Sequence, residues 1–204
     1  MNNLTTTVRQ KVLNLNRKKL SLFCNLNCEK MLPCYRVFSE TEQWGNFAFF
    51  NSLVQSQYPA IIGGNALDYN QLESELQENF PHLEEFSSEA ASYGLDACVA
   101  FDEMISFLLS DDAEHVVNNS QACIDTVDMF VQLKENVEGK IEYSNIPALE
   151  AFIFEDEYMQ REIKRQLDIL TALENTTVID EQSVEKLRVI NESLGPLVDV
   201  NLID

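Results

Sequence analysis

An all-α fold is the architecture this sequence predicts, and three observations predict it. Apolar residues recur at spacings of three and four along most of the chain, the period of one buried helical face. Residues that cap or stop helices punctuate these stretches, among them Pro81, Pro147 and Gly195-Pro196. No repeat, low-complexity run or Ser/Gly linker divides the 204 residues, a length that suits one domain of ordinary size. The expectation is a single domain spanning residues 1–204, a bundle of about seven or eight helices around a buried central one.

The elements follow in order. Residues 5–18 carry Val8, Val12 and Leu15 on one stripe, and residues 1–19 read as a basic N-terminal helix. A second helix places Leu20, Phe23, Cys24, Cys28, Met31, Tyr35 and Phe38 on one face. Pro33 lies inside it, cannot donate to the carbonyl of Glu29, and crowds that carbonyl with its ring. A kink or short break near Met31 is expected. Residues 43–57 form a third helix through Trp44, Phe47, Phe50, Leu53 and Val54, ended by the turn-rich residues 59–65.

Residues 69–80 form a short acidic helix stopped by Pro81. The stretch 94–109 is apolar around most of its circumference, including Leu95, Cys98, Phe101, Met104, Ile105 and Leu108, and this marks it as the central buried helix. Ser110-Asp-Asp-Ala-Glu114 starts the next, with a serine cap and acids where the macrodipole favours them. Residues 139–145 read as a loop, and Pro147 opens one long helix whose stripe is Leu149, Phe152, Met159, Ile163, Leu167 and Leu170. A last helix over 181–194 stops at Gly195-Pro196, and residues 196–204 read as an extended tail.

Charge is segregated along the chain. Residues 37–133 hold 17 Asp or Glu and no Lys or Arg, whereas the first 36 residues hold seven Lys or Arg against Glu29 alone. The net charge of −20 disfavours binding of the whole molecule to nucleic-acid phosphates or anionic lipid. The partners expected therefore exclude nucleic acid and membrane, and docking of the basic start onto the acidic body is the simplest use of the asymmetry. No uncharged run reaches the roughly 18 residues that cross a bilayer. The stretch after Lys19 is interrupted by Asn25, Asn27 and Glu29 and fails as a signal-peptide core. With five cysteines, an odd number, reduced thiols in a cytoplasm are the expectation.

Two stretches carry a resemblance. Cys28-Glu-Lys-Met-Leu-Pro-Cys-Tyr35, ending at Phe38, resembles the Glu-Arg-x-x-Pro-Asn-Tyr-x-x-Phe signature of the YjaG-like family. Leu95-Asp-Ala-Cys-Val-Ala100 resembles that family's second signature, and Glu114-His-Val116, Thr126 to Met129 and Gln160 follow in the expected order. Lys30 stands where Arg is usual and Cys34 where Asn is usual. The resemblance covers roughly residues 20–173. It implies an all-helical bacterial cytoplasmic protein classed as a domain of unknown function, and it supplies no activity.

Chemistry-bearing constellations are sparse. Cys24 and Cys28 lie one turn apart but within an apolar stripe, and there is no second knuckle of the Cys-x2-4-Cys kind that structural zinc draws on. No Glu-x-x-His pair exists for a carboxylate-bridged metal centre. Asp111 and Asp112 stand four and three residues before His115, as helix-start acids do. No metal or cofactor is expected. There is neither a Gly-x-Ser-x-Gly elbow nor a phosphate-binding glycine loop. Glu29 and Asp96 lie beside strongly apolar residues, so each needs a partner if buried. Together with Lys30 and Tyr35 they are the candidate ligand-binding residues.

The expected function is that of a non-catalytic bacterial interaction or accessory protein, with an unknown protein partner or a second copy in a homodimer. The alternative is an enzyme or small-ligand binder with a polar pocket between the kinked second helix and the central helix. A third reading, carboxylates imitating nucleic-acid phosphates, is outweighed because most of the acids interleave with core residues. Convergence of Glu29, Tyr35 and Asp96 on one open cavity would favour the alternative.

Overall fold

The computed structural model describes residues 2–64, 66–134 and 145–203. Nine α-helices and no strand lie among them: α1 (Asn2–Val12), α2 (Arg17–Glu42), α3 (Phe47–Ile62), α4 (Tyr69–Gln77), α5 (Ala90–Ser110), α6 (Ala113–Lys134), α7 (Ile146–Glu155), α8 (Glu157–Asn175) and α9 (Glu181–Ser193). The all-α expectation holds. Of the loop expected at 139–145, only Asn145 lies within the described residues, and its side chain caps α7 by accepting from the Ala148 amide.

Two helices, not one, form the centre. The expected one, α5, packs its buried face mainly on α2. In α2 itself every residue from Leu20 to Cys28 is buried, more than two turns with burial on all sides. Polar residues at Ser21, Asn25 and Asn27 hid this helix from a hydrophobicity reading. Inside, each has a partner: Ser21 Oγ donates to the Arg17 carbonyl, Asn25 Nδ2 to Val54 and Asn27 Nδ2 to Asn119. The two central helices approach closely because Gly94 of α5 lies against the Phe38 ring. A Cβ at Gly94 would stand 2.5 Å from that ring.

Of the kink or short break expected near Met31, the break does not occur, for α2 is continuous from Arg17 to Glu42 with Pro33 inside it. Pro33 faces outward while its neighbours Met31, Leu32, Cys34 and Tyr35 are buried. Burial on the inner side holds the helix through the one backbone bond proline cannot make, a defect worth about 3 kcal/mol in a helix interior.

Other boundaries move for similar reasons. The basic segment 1–19 is not one helix: α1 ends at Val12, and Asn16 caps α2 by accepting from the Lys19 amide at 3.1 Å. Val8 and Val12 are buried, and α1 packs against α6 and α8. Arg9 holds Glu114 through two bonds of 2.6 and 2.7 Å, and Lys11 pairs with Glu174 at 2.8 Å. The Lys18 ammonium instead donates to the carbonyls of Ile62 and Ile179.

The helix α3 begins later than expected and runs through Pro59 to Ile62. Asp112, rather than Ser110, caps the start of α6 by accepting from the Glu114 amide. The long helix expected from Pro147 is two, because the extended backbone of Asp156 divides α7 from α8. The Asp156 carboxylate accepts from the Tyr158 amide at 2.8 Å and pairs with Lys134 at 2.9 Å. The tail expected as extended carries a 3-10 turn at Val200–Leu202 and buries Leu197 and Val198.

Candidate functional site

The four candidates from sequence sit in three separate places. Glu29, on α2, accepts from Arg188 of α9 through bonds of 2.6 and 3.0 Å and from the Tyr58 hydroxyl at 2.7 Å. Burial, with the charge and hydrogen bond of Glu29 added, pushes the Tyr58 phenol well above its ordinary pKa. Lys30, the next residue, turns towards the C-terminal end of α9. Its ammonium donates to the carbonyl of Asn191 at 2.8 Å and to that of Gly195. Burial first, and the Arg165 charge second, lower its pKa to about 8.

Tyr35 lies among aromatic rings, 3.8 Å between centroids from Phe50 and 5.7 Å from Phe38. Its hydroxyl donates to the Asn79 carbonyl and accepts from the Asn46 amide. Gly45 beside it has a positive φ of 79°, and a Cβ there would stand 2.3 Å from the Tyr35 hydroxyl oxygen. Asp96 is half-buried on α5 and accepts from the Thr126 hydroxyl of α6 at 3.0 Å. Burial raises its pKa to about 6, with Asp125 adding to the rise and the Thr126 bond opposing it.

The expected pocket between α2 and the central helix α5 is therefore not where Glu29 and Lys30 lead. Those two line a cleft of roughly 340 Å³ whose opposite wall is Asn191, Glu192, Gly195, Pro196 and Leu197, with exposed Pro33 at its edge. The reason is the direction of the helix face: Met31, Leu32, Cys34 and Tyr35 take the inward positions, and Glu29, Lys30 and Pro33 are left towards the C-terminal segment.

Behind this cleft lies a polar core that the sequence reading did not single out. Arg165 and Glu162 of α8 are 1% and 3% exposed, yet form an ion pair with bonds of 2.5 and 2.6 Å. The remaining donors of Arg165 reach Asn191 Oδ1 at 2.7 Å and Asn27 Oδ1 at 2.9 Å. Gln166 donates to Glu162 at 2.7 Å and to the Ser120 carbonyl at 3.0 Å. Asn119 bridges onward to the Ala100 carbonyl at 2.7 Å. Asn191 donates to the Leu26 carbonyl at 3.0 Å and reaches Glu29 Oε2 at 3.4 Å. Burial alone would lower the Arg165 pKa, but the charge and hydrogen bonds of Glu162 outweigh it and hold the guanidinium charged.

The network ties α2, α5, α6, α8 and α9 together. A signal for it was present: Glu162, Arg165 and Gln166 are in helical phase with buried Met159, Ile169, Leu170 and Leu173. The predicted stripe instead took Ile163 and Leu167, which are only half-buried.

The five cysteines are free and buried, and burial raises the thiol pKa of each, that of Cys34 to about 12. Such thiols are poor nucleophiles and poor ligands. Among the described residues no three His, Cys, Asp or Glu side chains gather as metal ligands do. His115 pairs with neither Asp111 nor Asp112; its Nδ1 lies 2.6 Å from Glu103 Oε2.

Comparison with known proteins now bears on this geometry. The model of a family described as "Protein of unknown function (DUF416)" matches residues 7–195. The chain belongs to the DUF416 family. A 105-residue stretch is 26% identical to the uncharacterized protein YjaG of Escherichia coli and 24% identical to that of Salmonella typhimurium, covering 50% of this chain and 54% of each relative. The chain thus spans about half the length of the curated relatives it matches. A crystal structure of a DUF416 family protein from Shewanella baltica superposes with a TM-score of 0.78 at 23% identity, over 91% of this chain and 93% of that one. That likeness shows the fold. The YjaG resemblance carried by Cys28 to Phe38 and by Leu95 to Ala100 is borne out, and the DUF416 family is one of unknown function.

Proposed function

We propose that this DUF416 protein is a non-catalytic interaction or accessory protein whose acidic helical face meets a basic surface of a protein partner. The observation that supports it most is the disposition of the candidate groups. Glu29, Lys30, Tyr35 and Asp96 point to three separate places, and each has partners inside the fold. No two of them form the nucleophile-and-base or acid-and-base pair that catalysis requires.

The outer face supplies the second half of the reading. Helices α4 to α6 contain no Lys or Arg before Lys134. Burial and the neighbouring charges of Glu103 and Glu73 raise the pKa of Asp102, and burial with Asp125 and Glu150 raises that of Asp128. A cationic partner surface would relieve this crowding and would be steered to it at low salt.

We place the protein in the cytoplasm, a reading supported by its five free, buried cysteines. Among the described residues, no helix is long and apolar enough to cross a membrane.

Crosslinking in cells followed by mass spectrometry, repeated across a salt series in extracts, tests the proposal. The expected result is a protein partner captured by the parent and lost with Asp102→Asn, Asp125→Asn and Asp128→Asn together. Capture unchanged by that triple substitution would overturn it. Light scattering of the purified protein separates a second copy of the chain from a different partner.

A further inference from the structure

A second cleft, of roughly 400 Å³, opens between the start of α2 and the end of α3. Gln57 of α3 lines it and is itself buried. Its Oε1 accepts from the Tyr69 hydroxyl at 3.1 Å. The other end of the amide, Nε2, has no acceptor among the described residues. Nor is it sealed in, for the polar atoms shut away there without a partner are Asn25 Oδ1 and two nitrogens of Arg161. The cleft therefore reaches an unmatched amide donor on a buried side chain, a group that protein interiors rarely leave without a partner.

The wall near the start of α2 is cationic. Arg17 and Lys18 stand in it, and no carboxylate does among the described residues. Arg17 donates to the Leu108 carbonyl and meets Asp111 at 3.3 Å. A guanidinium has five N–H groups, so several of them are left for a ligand. Lys18 donates to the carbonyls of Ile62 and Ile179, which leaves one of the three N–H groups of an ammonium. The Ser21 hydroxyl donates to the Arg17 carbonyl and keeps its lone pairs. Register sets the spacing of these groups. Lys18 meets Ile62, and Asn25 meets the Val54 carbonyl at 3.1 Å, so the two helices run antiparallel with Ser21 and Gln57 between those contacts. The cations and the Gln57 amide are thus offset by roughly one helical turn, about 5 Å along α2.

We infer that this cleft binds a small carboxylic acid carrying a neutral carbonyl about one helical turn from its charge. The carboxylate meets Arg17 and Lys18, the carbonyl oxygen accepts from Gln57 Nε2, and the carbon chain lies against Ile61 and Leu108. A neutral acceptor suits the inner end, because Gln57 is uncharged and a second buried charge there would have no counter-ion. The volume is in the range of small-molecule sites, about 300–1,000 Å³. Oxo acids and amide acids share this chemistry, and the N–H of an amide would find its acceptor in the Ser21 oxygen. The site stands whether or not a basic protein partner meets the acidic face.

Titration of the intact protein with sodium 4-oxopentanoate tests this, read from the side-chain amide signals in a nitrogen-15 NMR spectrum against sodium chloride at matched ionic strength. Pentanoate has the same charge and chain length without the carbonyl, and succinate has a second charge in its place. The Gln57 amide signals, assigned by their loss in Gln57→Met, shift saturably with 4-oxopentanoate. That acid binds about five-fold more tightly than pentanoate. In Gln57→Met the preference vanishes. In Arg17→Gln, at an exposed position, both acids bind more weakly and the preference remains. The absence of a saturable response to 4-oxopentanoate would overturn the proposal, as would an identical response to chloride. So would equal binding of pentanoate, tighter binding of succinate, or a preference that persists in Gln57→Met. Succinamate, in which an amide nitrogen replaces the methyl group of 4-oxopentanoate, separates the two sources. Binding tighter than that of 4-oxopentanoate makes an amide acid the natural ligand, and weaker binding makes it an oxo acid.

Discussion

Arg165 and Arg161 are four residues apart on α8, and both place guanidinium nitrogens in the interior. Arg165 meets Glu162, Asn191 and Asn27, all supplied by the fold. Arg161 has its Nε and Nη2 unmatched by any acceptor among the described residues. The difference separates a charge that the structure neutralises with a full set of hydrogen bonds from one held by stacking on the Tyr158 ring with two donors unmatched. Burial alone does not distinguish the two; the hydrogen-bond account does.

Substitutions can break or sharpen this contrast. Arg165→Met should have the largest effect, because it leaves Glu162 buried without its counter-charge. A loss of about 3–5 kcal/mol in chemical denaturation is expected. Converting both partners, with Glu162→Leu added, should recover a good part of it. Asn191→Ala removes the joint between Arg165, the Leu26 carbonyl and Glu29, and should cost about 1–3 kcal/mol by the same measurement.

Asp96 tests whether a half-buried charge with a single hydrogen bond belongs with either arginine. Its folded pKa of about 6 lies above the ordinary 3.8, so between those values the folded state binds more protons than the unfolded chain. Its contribution to stability then falls as the pH rises through that window and stays unfavourable above it. Asp96→Asn should stabilise the protein by about 1–2 kcal/mol near neutrality and by almost nothing below about pH 4. Denaturation curves across pH measure this, and a gain independent of pH would show that Asp96 does not titrate in this way.

Arg161→Gln gives up the stacking on Tyr158 but no hydrogen bond within the fold, and should cost about 1 kcal/mol or less in chemical denaturation. A loss as large as that of Arg165→Met would erase the distinction between the two residues. Arg9→Gln gives the exposed reference, a surface pair with Glu114 whose removal should cost at most about 1 kcal/mol and less as salt is raised. The burial of Val8 and Val12 keeps α1 docked in that variant, so protection of the 13–16 segment from protease should persist.

Much of the fold was legible because helices announce themselves by period. The stripes of α1, α3, α5 and α6 are local patterns, and the apolar circumference of α5 marked it as central. What failed was local in another sense. Pro33 reads as a kink or a short break in isolation, and of the two the break is absent, because the packing of Met31, Leu32, Cys34 and Tyr35 holds α2 through it. Pro147 reads as the start of one long helix, but the bonds of Asp156 to Tyr158 and Lys134 favour two. At the candidate site, Glu29 and Asp96 were found because charged residues beside apolar ones stand out. Glu162 and Arg165 were missed because Ile163 and Leu167 offered a second apolar stripe, rotated slightly from the buried one.

The sequence by itself determined the helical class, the family and the placement of acidic and basic charge, since each is written in residue type and short-range spacing. Tertiary structure alone decided which polar residues are interior and what satisfies them. Asn27, Glu162, Arg165 and Asn191 come from three helices up to 164 positions apart, and only the packing of those helices brings their hydrogen-bonding groups within 3 Å. The cost of burying a charge depends on what lies beside it in space, and for Arg165 and Arg161 that neighbourhood, not the residue type, sets the role.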